Sequence, residues 1–258
     1  MPVALITGAS TGLGREFARL CAGDGYDVVL TARSAPQLET LAAEIRSQTG
    51  QSAIVIPKDL SDPAAPREIF DDLTGRRIVI DVLINNAGFG LIGFIWENPS
   101  SELMKMVRLN IDALTELTRL FLPSMIERRA GRILNVASTA AFQPGPLMSA
   151  YYATKAYVLS FSEAIYNEAR DYGVTVTCLC PGPTKTEFDT RAGMINTRLF
   201  NSGRTMDAAN VAEIGYRAMK KGKSVVIAGR LNALIAFLTR FAPRNLTASM
   251  ARRFQETS

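Results

Sequence analysis

The chain has 258 residues, of which 47% are apolar, enough for one large α/β domain or two small ones. Its 29 basic and 24 acidic residues leave a net charge of +5, dispersed along most of the chain; this suits an anionic cofactor and does not point to nucleic acid. Histidine is absent, which excludes Ser-His-Asp and Cys-His catalysis and any His-ligated metal, and Cys21, Cys178 and Cys180 form neither a disulfide framework nor a zinc site.

Val3–Ile6 reads as a buried strand, followed at once by TGASTGLG and the helical pattern REFARLCAGDG. Gly8, Gly12 and Gly14, with Ser10, Thr11 and Leu13 among them, make a tight turn that exposes backbone N–H groups at a helix N-terminus. That geometry binds phosphate, and a side chain at Gly12 would block close approach to a pyrophosphate. Asp27–Thr31 is the second strand. In a dinucleotide fold its end meets the adenosine ribose, where an acid would bind the 2′-hydroxyl of NAD. Here the sequence is Thr31-Ala32-Arg33-Ser34, with no acid. Arg33 can bind a 2′-phosphate and stack on adenine, with Ser34 as a further donor, so NADP(H) is expected over NAD(H). Thr11 adds nothing to that preference, which a basic residue would have strengthened.

A helix is predicted from about Pro36 to Thr49 and a third strand over Ala53–Ile56, leading to Lys58-Asp59-Leu60. Asp59 could accept from the adenine amino group or cap a helix beginning near Asp62. Asp81–Ile84 is a fourth strand, and Asn85-Asn86-Ala87-Gly88 after it suits a ligand-facing turn. Residues 100–129 read as one long helix with Pro123 as its kink. Asn110 in its interior is a mediocre helix former, suited to holding a water or a loosened turn beneath a site.

Arg132–Ala137 is a fifth strand, Pro144-Gly145-Pro146 breaks periodicity, and a helix begins near Ser149 and runs to about Tyr172. Tyr151 and Lys155 are four apart and share a helix face, while Ser138 stands at the strand end. A free tyrosine has a pKa of ~10, and a neighbouring ammonium favours the phenolate. A drop of about three units is roughly 4 kcal/mol, which would bring the phenol into range for proton transfer. Ser138 can then hold a substrate oxygen against Tyr151. A YxxxK spacing arises often by chance, so its weight comes from the rest of the chain. This helix is apolar on more than one face, as in a helix deeply buried or shared with a partner; with 100–129 it leads to an expected homodimer or homotetramer.

Val174–Leu179 is a sixth strand, with Cys178 in it a buried thiol like Cys180. Pro181, Gly182 and Pro183 stiffen the turn after it at the carboxyl edge of the sheet, and Thr184 and Thr186 could bind a carboxamide or phosphate. Residues 187–206 lack a clear period and mix apolar with polar side chains, as a lid would. A helix over 207–220 and a seventh strand, Ser224–Ile227, follow. The tail, 230–258, is apolar and carries Arg240, Arg244, Arg252 and Arg253; it is open to three readings, a subunit contact, a wall of the substrate pocket or a membrane-surface helix. No leader precedes the first strand and no apolar run reaches ~18 residues, so a cytoplasmic protein is expected.

TGASTGLG, Asp59, NNAG at 85–88, Asn110, Ser138, YYATK and PGPTKT occur in this order, and together residues 3–228 resemble the short-chain dehydrogenase/reductase family. The resemblance implies a catalytic tetrad of Asn110, Ser138, Tyr151 and Lys155. It selects Tyr151 over Tyr152, since only Tyr151 has Lys at i+4. It also implies that Lys155 binds the nicotinamide ribose, that Asn110 holds a water in a proton relay, and that the cofactor meets Leu60, Asn86, Ala87 and Gly88. The family varies beyond residue 187, so no substrate is implied. The expected architecture is a single α/β domain, a Rossmann-like doubly wound sheet of about seven parallel strands with helices on both faces. The expected activity is NADP(H)-dependent hydride transfer on a carbonyl/secondary alcohol pair, with a hydrophobic ketone, aldehyde or 3-oxoacyl group as substrate. An NAD-linked alcohol dehydrogenase and a non-catalytic NADP-binding redox sensor are the alternatives.

Overall fold

The structure, a computed structural model, describes residues 1–187 and 205–255. Strands β1 (Val3–Thr7), β2 (Asp27–Ala32), β3 (Ala53–Pro57), β4 (Val82–Asn85), β5 (Gly131–Val136), β6 (Val174–Cys180) and β9 (Val225–Ile227) form one sheet in the order β3-β2-β1-β4-β5-β6-β9. Every pairing in it is parallel. Two short strands, β7 (Thr184–Lys185) and β8 (Met206–Asp207), pair beside it. The lid expected over 187–206 falls almost wholly on 188–204, outside the described residues.

The strands are apolar at consecutive positions because both faces are covered. Ala4, Ile6, Val28 and Leu30 face Phe17 and Cys21 of α1 (Gly12–Gly23), Leu38 and Leu41 of α2 (Ala35–Thr49) and Val211 and Met219 of α7 (Ala208–Lys220). Their sequence neighbours Leu5 and Val29 point the other way. They pack with Ile69 and Leu73 of α3 (Ala65–Gly75) and with Leu117, Phe121 and Met125 of α5 (Leu114–Glu127). Helix α6 (Ser149–Ala169) packs on the same side as α5, against β6. All three cysteines are buried free thiols, as expected for Cys178 and Cys180.

The predicted helix at 100–129 is interrupted at a different place from its proline. It consists of α4 (Ser100–Val107), a π-helical turn over Arg108–Ala113 and α5, with Pro123 accommodated inside α5. The wide turn is centred on Asn110, whose side chain is drawn out of the helix by partners elsewhere. Helix α3 starts at Ala65 instead of near Asp62. Asp62 accepts from Ala64 N ahead of it, whereas Asp59 accepts from Ser61 N and Oγ and caps no helix. After β9 the chain forms α8 (Arg230–Leu238) and α9 (Arg244–Gln255).

A buried polar chain crosses this apolar core. The Asn85 amide donates to Thr118 Oγ1 (3.2 Å) and to Asn135 Oδ1 (2.9 Å), and Asn135 donates to Ser162 Oγ (2.9 Å). Ser162 and Thr118 in turn donate to Val158 O and Leu114 O. β4, β5, α5 and α6 are thus tied through side chains that are almost fully buried. Replacing Asn135 with Leu strands the Asn85 and Ser162 groups. It should lower unfolding free energy by about 2–4 kcal/mol, read as a shifted midpoint with unchanged slope in urea denaturation.

Candidate active site

The order of the sheet places β1 between β2 and β4, so the connections leaving β1 and β4 diverge and open a crevice at their carboxyl ends. Thr7 organises its floor. Its hydroxyl accepts from Asn86 N and Ala87 N, both at 2.9 Å, and donates to Ile84 O. Asn86 Nδ2 returns a bond to Thr7 O. The first turn of α1 opens into the same crevice with Thr11 before it, and the Thr11 side chain does not cap its amides. Gly12 holds φ +53°, and a Cβ there would meet Thr186 at 3.2 Å; a Cβ on Gly14 would lie 2.1 Å from Gly8 O, so the helix can approach the turn only without one.

A cleft of about 430 Å³ runs from this turn across the sheet edge. At one end it is lined by Gly8, Ser10, Thr11, Gly12, Leu13, Arg33, Ser34, Asp59 and Leu60. Its middle is lined by Asn86, Ala87 and Gly88, and the far end by Ser138, Tyr151, Lys155, Pro181, Gly182, Thr184 and Thr186. Every site residue predicted from the sequence except Gly14 and Asn110 therefore reaches one continuous cleft. Gly14 lies behind its wall, and Asn110 behind Gly88. Arg33 is exposed and has no hydrogen-bond or ion-pair partner among the described residues, and the Ser34 hydroxyl makes no capping bond to α2. Lys58, unremarked in the sequence, also lines this end, with its ammonium 2.5 Å from Glu68.

Lys155 is 5% exposed and its Nζ donates to Val136 O at 2.9 Å, from the last residue of β5. The same Nζ lies 5.8 Å from the centre of the Tyr151 ring. Burial pulls the Lys155 pKa from an ordinary 10.5 down to about 8, with Cys178 and Cys180 opposing the fall. Tyr152 is held the other way. Burial pushes its phenol pKa up although Gln255 Nε2 donates to its oxygen at 2.7 Å, so it stays neutral. Of the two tyrosines, Tyr151 is the one that shares its surroundings with a cation.

Ser138 stands two residues after the end of β5. Its Oγ accepts from Ala140 N at 3.1 Å and faces Pro181 O at 3.4 Å, which fixes the hydroxyl at the cleft wall. Asn110 grips the turn after β4, accepting from Phe89 N (3.1 Å) and donating to Phe89 O (2.9 Å), while its second amide hydrogen goes to Thr154 Oγ1 (3.1 Å) on α6. What it offers a water is the second lone pair of Oδ1 or its main-chain carbonyl. Asn110 therefore braces the site from behind. Thr154 and Phe89 are its partners, and sequence reasoning passed over both: Thr154 sits inside YYATK as an ordinary helix residue. Gln255, 103 residues from Tyr152, also lines the cleft. Among the described residues no group of His, Cys, Asp and Glu could hold a metal.

Comparison with known proteins places this arrangement. A model of the short chain dehydrogenase family matches residues 2–194. The chain belongs to that family. It is 32% identical to mouse 17-beta-hydroxysteroid dehydrogenase type 3, covering 97% of this chain and 80% of the mouse protein. It is 36% identical to a very-long-chain 3-oxoacyl-CoA reductase from Phaeosphaeria nodorum over 68% of this chain, but spans only 53% of that reductase's length. Among solved structures it resembles a short-chain dehydrogenase from Sphingobium yanoikuyae in complex with NADPH, with a TM-score of 0.83, 31% identity and coverage of 93% of this chain and 95% of the other. The family fold is a doubly wound α/β sheet, and the seven parallel strands seen here are that fold.

Lys155 gives this dehydrogenase a pH signature. With its folded pKa near 8 and its unfolded value near 10.5, the folded chain binds fewer protons than the unfolded one between those values. Below about pH 8 both states are protonated and the cost of burial is fully present. As pH rises to about 10.5 this cost disappears, so the group adds stability, up to about 3 kcal/mol. Denaturant unfolding of wild type and Lys155→Met across this range should show wild type gaining on the variant as pH rises, with the gap constant below about pH 7.

Proposed function

We propose that the chain is an NADP(H)-dependent oxidoreductase that interconverts a carbonyl and a secondary alcohol on a hydrophobic substrate. The observation that carries this reading is the buried Lys155 ammonium beneath the Tyr151 ring, in the same cleft as the glycine turn of α1 and an Arg33 without an ion-pair partner among the described residues. The residues fit a phosphorylated dinucleotide. The amides of the α1 first turn would hold its pyrophosphate. Arg33 and Ser34 would take a 2′-phosphate at an edge where β2 ends without an acid. Asp59 and Leu60 would meet the adenine, Asn86-Ala87-Gly88 the riboses, and Pro181, Gly182, Thr184 and Thr186 the carboxamide. The NADPH in the Sphingobium yanoikuyae relative supports this choice.

The cofactor, when bound, would supply the hydride for the carbonyl carbon in the reducing direction. Tyr151 donates its phenolic proton to the carbonyl oxygen, and Ser138 hydrogen-bonds that oxygen so that the phenol is aligned with it. Lys155 favours the phenolate that remains and would hold the nicotinamide ribose. Asn110, through Phe89 and Thr154, keeps the Gly88 turn and α6 in register with this proton transfer. The wall beyond Tyr151 carries Phe89, Ala140, Met148 and Tyr152, an apolar surface suited to a ketone or 3-oxoacyl chain. A homodimer or homotetramer through α5 and α6 belongs to this reading: Tyr157 and Phe161 stack on the exposed side of α6, and Tyr157 is hydrogen-bonded to Thr115 of α5.

Tyr151→Phe should lower kcat by more than about a thousandfold while NADPH affinity by fluorescence titration stays within about twofold; unchanged turnover would refute the proton-transfer assignment. In wild type NADPH should bind more tightly than NADH. Arg33→Ala should weaken NADPH by roughly 1.5–3 kcal/mol with little effect on NADH, as measured by calorimetry. Equal affinities in wild type would make the chain an NAD-linked dehydrogenase.

A further inference from the structure

The last two helices are turned inside out. Along α9 the inward positions are Thr247, Ala251 and Gln255, while Leu246, Met250 and Phe254 are exposed. In α8 only Ala236 is buried, and Leu231, Leu234, Ile235 and Leu238 form a stripe at i, i+3, i+4 and i+7 that faces outward. Phe237 and Phe241 pack edge to face at 5.2 Å beside that stripe, and Phe241 is 73% exposed. A helix at a water-facing surface orients its large apolar residues the other way. The patch continues onto a neighbouring loop. Arg252 lies over the Phe94 ring at 5.9 Å, Phe94 stacks on Trp96 at 4.6 Å, and Trp96 is 75% exposed. An exposed apolar surface of this extent marks an interaction site.

The charge on this surface selects the occupant. From 229 to 255 the sequence contains five arginines and no acid. All five are exposed, and Arg230, Arg240, Arg244 and Arg253 have no carboxylate partner among the described residues. A second copy docked through the same face would set these arginines against their own counterparts, because a twofold interface is self-complementary. An anionic bilayer offers apolar depth for the leucines and phenylalanines and negative headgroups for the arginines, and an indole at its polar boundary. Neither helix is long and apolar enough to cross a membrane. We propose that α8, α9 and the Phe94–Trp96 loop form a docking surface that lies on an anionic lipid surface.

The test uses the full chain and vesicles of phosphatidylcholine with or without about a third phosphatidylglycerol. Trp96 is the chain's single tryptophan, so its fluorescence reports on the surface directly. The protein should sediment with the anionic vesicles, much less with neutral ones, and dissociate as salt is raised. Trp96 emission should shift to the blue and become quenched by brominated lipid. Leu234→Glu with Phe237→Glu, and separately Arg240→Glu with Arg244→Glu, should each weaken vesicle binding by more than about tenfold, with melting temperature and NADPH affinity unchanged. Absence of both sedimentation and spectral shift overturns the proposal. So does a dimer in sedimentation velocity that the leucine–phenylalanine pair of substitutions dissociates while vesicles remain unbound, which would assign the face to a second copy. The readouts do not depend on turnover, so loss of the catalytic reading would leave this one standing.

Discussion

An ammonium group buried to within 5% of complete exclusion from water must be held by something, and here the holder is the end of a strand. Lys155 loses most of its hydration and regains one hydrogen bond, to Val136 O. That carbonyl is available because β5 ends there and the chain turns away into Ser138. The requirement therefore fixes three things together: the register of α6 against β5, the position of Tyr151 one turn before Lys155, and the start of the loop that carries the serine. The β5–β6 pairing extends the constraint, since Val136 lies opposite Leu179 and the following Pro181 carbonyl accepts from Thr139 N. One anchored cation thus places the phenol, the hydroxyl and the proline turn around a common volume.

The polar side chains behind this site are arranged for orientation more than for stability. Asn85, Asn135, Ser162 and Thr118 bind one another where apolar residues would fill the space equally well, and Asn110 joins the Gly88 turn to Thr154. Apolar packing alone lets helices slide by small amounts with little change in energy, whereas directed hydrogen bonds between buried side chains hold one geometry, even though Asn85 Oδ1 has no partner among the described residues. Both networks end on α6, at Ser162 on the face that carries Tyr151 and Lys155 and at Thr154 beside it. The π-helical turn at 108–113 belongs to the same logic: it is the backbone's accommodation to an asparagine whose bonds lie outside its own helix.

Strands were the most legible part of the sequence, since a parallel sheet covered on both sides needs the uninterrupted apolar runs at Val3–Ile6 or Val174–Leu179. The glycine turn and the Tyr151–Lys155 spacing were legible because local geometry dictates them. Longer-range relations were not. Asn135 sits among apolar neighbours in β5 and reads there as noise, because its partners are 27 and 50 residues away. The interruption of the helix at 100–129 was placed at Pro123 by a sound local rule, yet proline fits within α5, and the distortion arises from tertiary partners of Asn110. The tail showed its composition but not its orientation: periodicity reveals that a helix has an apolar face and is silent on whether this face looks inward.

That orientation gives the C-terminal helix two environments within one residue. Phe254 faces outward and Gln255, next to it, lines the cleft and bonds to Tyr152. The Gln255 Oε1 acceptor is buried without a partner among the described residues, and an unmet buried acceptor costs about 1–3 kcal/mol. Open polar capacity of this kind is tolerated where a ligand group can meet it, and here it adjoins the apolar wall of Phe89 and Met148. α9 therefore supplies a polar group to the cleft from its inner face and presents Leu246, Met250 and Phe254 from its outer one.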